Sequence, residues 1–201
     1  VILVSSNRLY SKENPNIIII YTDDQGYGDS SLLNSNSKFQ TPNIDKLAKE
    51  GMRFTQTYSG SSVCAPARSV LMTGMHTGHT RVRGNFGLGG VKGLAGIEGR
   101  IPLKEEDITV AEVLKNAGYR TGMIGKWGLG EPNTEGEPNS QGFDEFYGFT
   151  SGHWGNYYDP VLENNGEITR GKGYISDDIT NKAISFIKNS KKPFFTYVSY
   201  N

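Results

Sequence analysis

The sequence predicts an α/β fold, a mostly parallel central sheet flanked by helices, and three observations carry that expectation. Asn16-Ile17-Ile18-Ile19-Ile20-Tyr21-Thr22 is a continuous β-branched run, the pattern of a strand covered on both faces. Pro193 to Tyr200 is a second apolar run of strand length. Between them, strand-like and helix-like stretches alternate, which points to βα units around a layered sheet. At 201 residues the chain is long enough for one sizeable core.

Residues 1–13 read as an N-terminal tail, and residues 14–201 as the N-terminal part of the folded domain. Val1-Ile2-Leu3-Val4 is too short to span a bilayer but fits the end of a signal peptide, a hint of a secreted or periplasmic protein. After the first strand comes the acidic turn Asp23-Asp24-Gln25-Gly26-Tyr27-Gly28-Asp29. Ile44, Leu47 and Ala48 give a helix over Pro42 to Gly51, with Gly51 as its C-cap. Arg53 to Ser59 reads as a second strand. Cys64 to Thr73 reads as a helix with Pro66 in the first turn, where proline is tolerated. Asp107 to Gly118 carries Val110, Val113 and Leu114 on one face, and Tyr119 to Ile124 makes a short strand. Ser176 is the expected N-cap of a helix to Asn189 that turns Ile179, Ala183, Ile184 and Ile187 inward. The chain stops at Asn201, directly after an apolar strand, where α/β enzymes place another functional loop, so the domain is expected to be incomplete at the C-terminus.

Composition excludes some partners. Basic and acidic side chains balance at 21 each, so neither nucleic acid nor a membrane surface is expected. The single cysteine, Cys64, excludes an internal disulfide. Glycine, 26 residues in all, is concentrated from Gly74 to Gly155, which predicts long loops on a rigid scaffold.

Five segments carry candidate chemistry, each with a plainer alternative. Asp23 and Asp24 can converge on a hard cation just past the strand end, or simply serve an exposed turn. Cys64 at a helix start would sit where free N–H groups favour an anion, with Arg68 one turn later on the same face; otherwise it is a small buried hydrophobe beside a surface arginine. Lys126 in Gly125-Lys126-Trp127-Gly128-Leu129-Gly130 offers a point charge for an oxyanion, or is solvated; the phosphate-loop spacing is missing. His153 in Ser151-Gly152-His153-Trp154 is a proton donor, an anion contact or neither. His76 and His79 are spaced like a metal pair, but Gly78 between them breaks a regular ligand geometry.

Taken in this order, the segments resemble the type I sulfatase family, the formylglycine-dependent, arylsulfatase-like enzymes with an alkaline-phosphatase-like fold. The most specific element is Cys64-x-Pro66-x-Arg68, in the context Ser62-Val63-Cys64-Ala65-Pro66-Ala67-Arg68-Ser69 and followed by Leu71-Met72-Thr73-Gly74. Pro15-Asn16-Ile17 leading into the acidic turn, and Thr41-Pro42-Asn43-Ile44-Asp45-Lys46-Leu47-Ala48, match as well. The resemblance implies that Cys64 is the residue converted to formylglycine, that Asp23, Asp24 and the converted Cys64 bind Ca²⁺ (Mg²⁺ being the other option), and that Arg68 stabilises the aldehyde hydrate. It further implies that Lys126 grips the sulfate and that His153 contacts substrate. One position departs from the pattern. Many sulfatases carry histidine two residues after the lysine, where this chain has Gly128. The remaining metal ligands and a second lysine are expected beyond residue 201.

The implied reaction is hydrolysis of an aryl or carbohydrate sulfate, from a small molecule or a polysaccharide. One hydroxyl of the aldehyde hydrate attacks sulfur and expels the alcohol; the other then drives elimination, restoring the aldehyde and releasing sulfate. The implied maturation partner is a formylglycine-generating enzyme. Two rivals remain: a formylglycine-dependent phosphonate or phosphodiester hydrolase, and a non-catalytic anion- or carbohydrate-binding relative, the latter motivated by Gly128. The 201-residue segment by itself is expected to be inactive.

Overall fold

The computed structural model describes residues 2–3, 14–93, 96–152 and 156–201. In chain order the elements are β1 (Ile2–Leu3), β2 (Ile17–Tyr21), a 3₁₀ turn (Tyr27–Asp29), α1 (Pro42–Glu50), α2 (Cys64–Thr73), β3 (Val91–Gly93), β4 (Gly96–Arg100), α3 (Val110–Asn116), β5 (Arg120–Lys126), β6 (Glu145–Phe149), β7 (Val161–Asn164), β8 (Glu167–Arg170), α4 (Ile175–Asn189) and β9 (Phe194–Ser199). One sheet of seven strands runs β1-β2-β9-β5-β6-β7-β8, and β3-β4 is a separate two-stranded hairpin. The four central strands, β2, β9, β5 and β6, are parallel, while β1, β7 and β8 add antiparallel edges.

Strand alternation sends successive residues to opposite faces, and the two cores follow from it. Met123, Phe195 and Tyr197 join Ala65 and Met72 of α2 and Ala111 of α3 on one face. Ile124, Phe194 and Val198 join Ile175, Ile179 and Phe186 of α4 on the other. β2 was expected to be buried throughout, but Ile20 is 46% exposed because no helix among the described residues covers that end of the α4 face.

Several sequence expectations need correction. Arg53 to Ser59 is not a strand: it has no ladder partner, and Met52, Phe54 and Tyr58 are all exposed. α4 begins at Ile175 with Tyr174 as N-cap, so Ser176 lies inside the first turn. Within α4, Phe186 takes the core position beside Ile179 and Ala183, and Ile184 is turned outward. In α3 the buried residue is Ala111, whereas Val113 is exposed. Lys126 does not sit on a glycine loop. β5 runs through it, because Gly125 serves close strand packing: its φ is +113°, and an added Cβ would lie 1.8 Å from the Ser199 carbonyl oxygen.

A cluster around Asp45 ties the segment after the acidic turn onto α1. Its carboxylate accepts from Thr41 Oγ1 at 2.7 Å, Ser31 Oγ at 2.7 Å and the Leu32 N–H at 3.3 Å. These bonds, led by Thr41, hold the Asp45 carboxyl below its ordinary value of 3.8. The folded value is the lower one, so the contribution is fully present above the unfolded pKa and lost as pH falls through the folded one. Asp45→Asn should therefore flatten the acid limb of a Tm-against-pH curve below 3.8 and leave its shape near neutrality unchanged.

Candidate active site

Open α/β sheets bind ligands at the carboxyl ends of their strands. Here β2 delivers Asp23, β5 delivers Lys126 and β9 delivers Ser199, while α2 crosses that end of the sheet and contributes Arg68. Arg68 is fully buried. Its Nη1 donates to the Lys126 carbonyl at 2.8 Å, to the Tyr197 hydroxyl at 2.9 Å and to Ser199 Oγ. Its Nη2 lies 3.6 Å from Asp23 Oδ1, and Lys126 Nζ donates to the other oxygen of the same carboxylate. The guanidinium also lies over the Tyr21 ring, 5.1 Å from its centroid. Tyr197 carries no compensating negative charge, since burial pushes its hydroxyl pKa up. Two cations thus share one carboxylate in a site largely closed to water, and Arg68 Nε and Nη2 still lack a hydrogen-bond partner among the described residues. Spare buried donors of this kind are costly unless an acceptor reaches them.

The sequence marked Asp23, Arg68 and Lys126, and the structure brings these three together. It did not mark Tyr197, Ser199 or Tyr21, which were read only as strand residues. Alternation places Tyr197 and Ser199 on one strand face, but the register to Arg68 depends on β9 pairing with β5, a long-range fact.

Cys64 is the first residue of α2 and is half-buried. Val63 at the N-cap has no side chain able to cap, so the first-turn N–H groups need partners from elsewhere. One comes from Asn85, whose Oδ1 accepts from the Ala65 N–H at 3.2 Å and from Cys64 Sγ at 3.3 Å. No motif or spacing in the sequence singles out Asn85.

The remaining candidates stand differently. Asp24 is exposed, with φ of +52°, a left-handed conformation that aspartate tolerates. Gly128 has φ of +79° and donates its N–H to the Thr150 carbonyl at 2.9 Å. A Cβ there would meet nothing closer than 3.9 Å, at Gly152 Cα, so the space next to Arg68 is open but the backbone disfavours a side chain. His153 lies outside the described residues. His76 and His79 stand edge to face, and His76 Nδ1 accepts from the Gly78 N–H at 3.0 Å, so that nitrogen is occupied by its own turn.

A hard divalent cation fits the donor chemistry of Asp23 and Asp24, which offer carboxylate oxygens. The Cys64 thiol is a soft donor and joins such a shell only after oxygen replaces sulfur. Among the described residues no three His, Cys, Asp or Glu side chains form a group able to hold a metal ion, so these two carboxylates are at most part of a shell. No helix of the described residues is long and apolar enough to cross a membrane.

Two cationic side chains on one shared carboxylate, with a helix-borne cysteine, mark the strand ends of this α/β protein as the candidate site. Comparison makes this specific. The Sulfatase family matches over residues 15–201, and the chain belongs to that family. It is 43% identical over 146 residues to arylsulfatase G of Canis lupus familiaris, covering 70% of this chain and 24% of the relative. It is 34% identical over 186 residues to the N-acetylglucosamine-6-O-sulfatase of Bacteroides thetaiotaomicron, covering 90% of this chain and 29% of the relative. The chain therefore spans about a quarter of the length of these curated relatives. Among solved structures it superposes on Ps i-CgsB in complex with k-i-k-neocarrahexaose with a TM-score of 0.81 and 31% identity, covering 94% of this chain and 45% of that one. A second, in complex with D-glucosamine-2-N,6-O-disulfate as its substrate, gives 0.73 and 32%, covering 94% and 34%. The architecture is alkaline-phosphatase-like.

Proposed function

We propose that the protein containing this chain hydrolyses sulfate esters through a formylglycine hydrate made from Cys64, and that its substrate is a carbohydrate or aryl sulfate. The observation that supports this reading is the Arg68–Asp23–Lys126 cluster at the strand ends, in which Arg68 Nε and Nη2 make no hydrogen bond among the described residues, Nη2 holding only its 3.6 Å ion pair to Asp23, so that an incoming acceptor can take them. A sulfuryl oxygen is such an acceptor, and charge growing on it during transfer would be held by Arg68 and Lys126 in a water-poor setting. The N-terminal end of α2 favours an oxygen nucleophile at residue 64. Asp23 and Asp24 would contribute carboxylates to a Ca²⁺ or Mg²⁺ site. That cation, when bound, would supply positive charge that favours deprotonation of the attacking hydroxyl. With Asp23 given over to such a cation, Lys126 would lose its ion pair and be free to bind the sulfate.

Each residue then has a role. Cys64, once oxidised by a formylglycine-generating enzyme, supplies both hydroxyls; Lys126 and His153 bind the sulfate; Arg68 holds the hydrate. Carbohydrate sulfates are the favoured class because one relative is an N-acetylglucosamine-6-O-sulfatase and two solved neighbours hold saccharides. Residues 14–201 are read as the N-terminal part of the catalytic domain.

The test compares the matured protein on an aryl sulfate, a sulfated glucosamine and a phenyl phosphonate ester. Faster cleavage of the sulfates supports the proposal. A preference for the phosphonate moves the assignment to the phosphonate and phosphodiester hydrolases. Cleavage of none, with saccharide binding retained, favours a non-catalytic relative.

A further inference from the structure

We infer that Asn85 is a positioning residue for the nucleophile: its carboxamide oxygen caps helix α2 and fixes the side chain of residue 64. Two hydrogen bonds reach one atom. Asn85 Oδ1 accepts from the Ala65 N–H at 3.2 Å and from Cys64 Sγ at 3.3 Å. The first bond satisfies a helix-start donor that Val63 cannot cap. The second selects one orientation of the reactive side chain. Gly128, facing the space beside Arg68, has no side chain to share that task.

Asn85 is itself held from both sides. Before it, Arg83 donates from Nε to the Thr80 carbonyl at 3.0 Å and from Nη2 to the Gly78 carbonyl at 2.9 Å. After it, Phe86 lies under the Arg100 guanidinium at 5.2 Å, and the Gly87 N–H donates to the Gly99 carbonyl at 3.2 Å. A loop fixed this way delivers the amide to the helix start as a rigid group. Its oxygen remains an acceptor when a hydroxyl replaces the thiol, so it binds one O–H of the hydrate and leaves the other free to attack. Small displacements of a reacting group cost on the order of 10²-fold in rate.

The experiment has two readouts, of which only the second rests on the sulfatase reading. In the full protein made without a formylglycine-generating system, the alkylation rate of Cys64 by iodoacetamide is measured for wild type, Asn85→Ala and Asn85→Asp. Alkylation breaks the S–H contact to Asn85, which stabilises the unreacted side chain. Asn85→Ala should speed alkylation about three- to tenfold, the worth of one neutral hydrogen bond. Asn85→Asp keeps the acceptor and adds negative charge, so it should slow alkylation below wild type. A loop loosened for structural reasons would speed both. Equal signs for the two variants, or no change in either, would overturn the inference. Asn85→Asp also preserves the cap, so the comparison with wild type stands even where the alanine variant fails to fold. In matured protein, with rates normalised to the aldehyde content of residue 64, Asn85→Ala should lower kcat at least about tenfold with KM within about threefold. An unchanged kcat overturns the positioning role. Opposed alkylation signs in a protein that cleaves no sulfate ester would sink the proposed function and leave the inference intact.

Discussion

Replacing Arg68 by methionine is expected to destabilise the protein by about 3–5 kcal/mol, the usual cost of removing one partner of a buried ion pair. The loss has several parts. The Lys126 carbonyl, the Tyr197 hydroxyl and Ser199 Oγ each lose the donor at Nη1. Among the described residues Asp23 keeps Lys126 as its ion-pair partner, and a lysine tied there is less available for any anion. Methionine keeps most of the buried volume but brings no donor, so the deficit is chiefly polar. Urea unfolding of the protein containing this chain, with the two m-values equal, measures it. A difference below about 1 kcal/mol would show that the guanidinium is dispensable to the fold and that the cluster is held by other contacts.

The second large effect concerns turnover. Cys64→Ser places one hydroxyl where the hydrate would have two. Its oxygen can attack sulfur and release the alcohol, but no second hydroxyl on that carbon can expel the sulfate by forming a carbonyl. The expected result is at most one product molecule per enzyme, a stable sulfate ester on residue 64, and steady-state kcat reduced on the order of 10⁴-fold or more. Intact-mass measurement after exposure to an aryl sulfate should find the added sulfuryl group. Sustained linear turnover by this variant would mean that sulfate leaves by direct water attack and that the two-hydroxyl cycle is wrong.

Much of the parallel scaffold was legible from residue type alone. The β-branched run of β2 and the apolar run of β9 both form, and the helix from Cys64 to Thr73 has the limits its proline and glycine predict. What failed did so for tertiary reasons. Arg53 to Ser59 has strand-like composition without a partner to pair with. Gly125 looked like loop punctuation, yet it is the place where β5, β9 and β6 approach too closely for any side chain. Ile184 fits an inward stripe by spacing, but the wider Phe186 takes that contact.

The candidate site divides along the same line. Asp23, Arg68 and Lys126 are marked by motif, and they meet because β2 and β5 end, and Arg68 of α2 reaches in, at the carboxyl ends of the parallel strands. Asn85, Tyr197 and Ser199 carry no local signal, since their importance exists only in register and loop placement.

The most direct test of the account is the mass of the tryptic peptide Phe54 to Arg68, from protein made in a host with a formylglycine-generating system. The account predicts an aldehyde in place of the Cys64 thiol, reactive toward hydrazides and resistant to alkylation. An intact, alkylatable cysteine in protein that still cleaves sulfate esters would contradict the formylglycine mechanism at its first step.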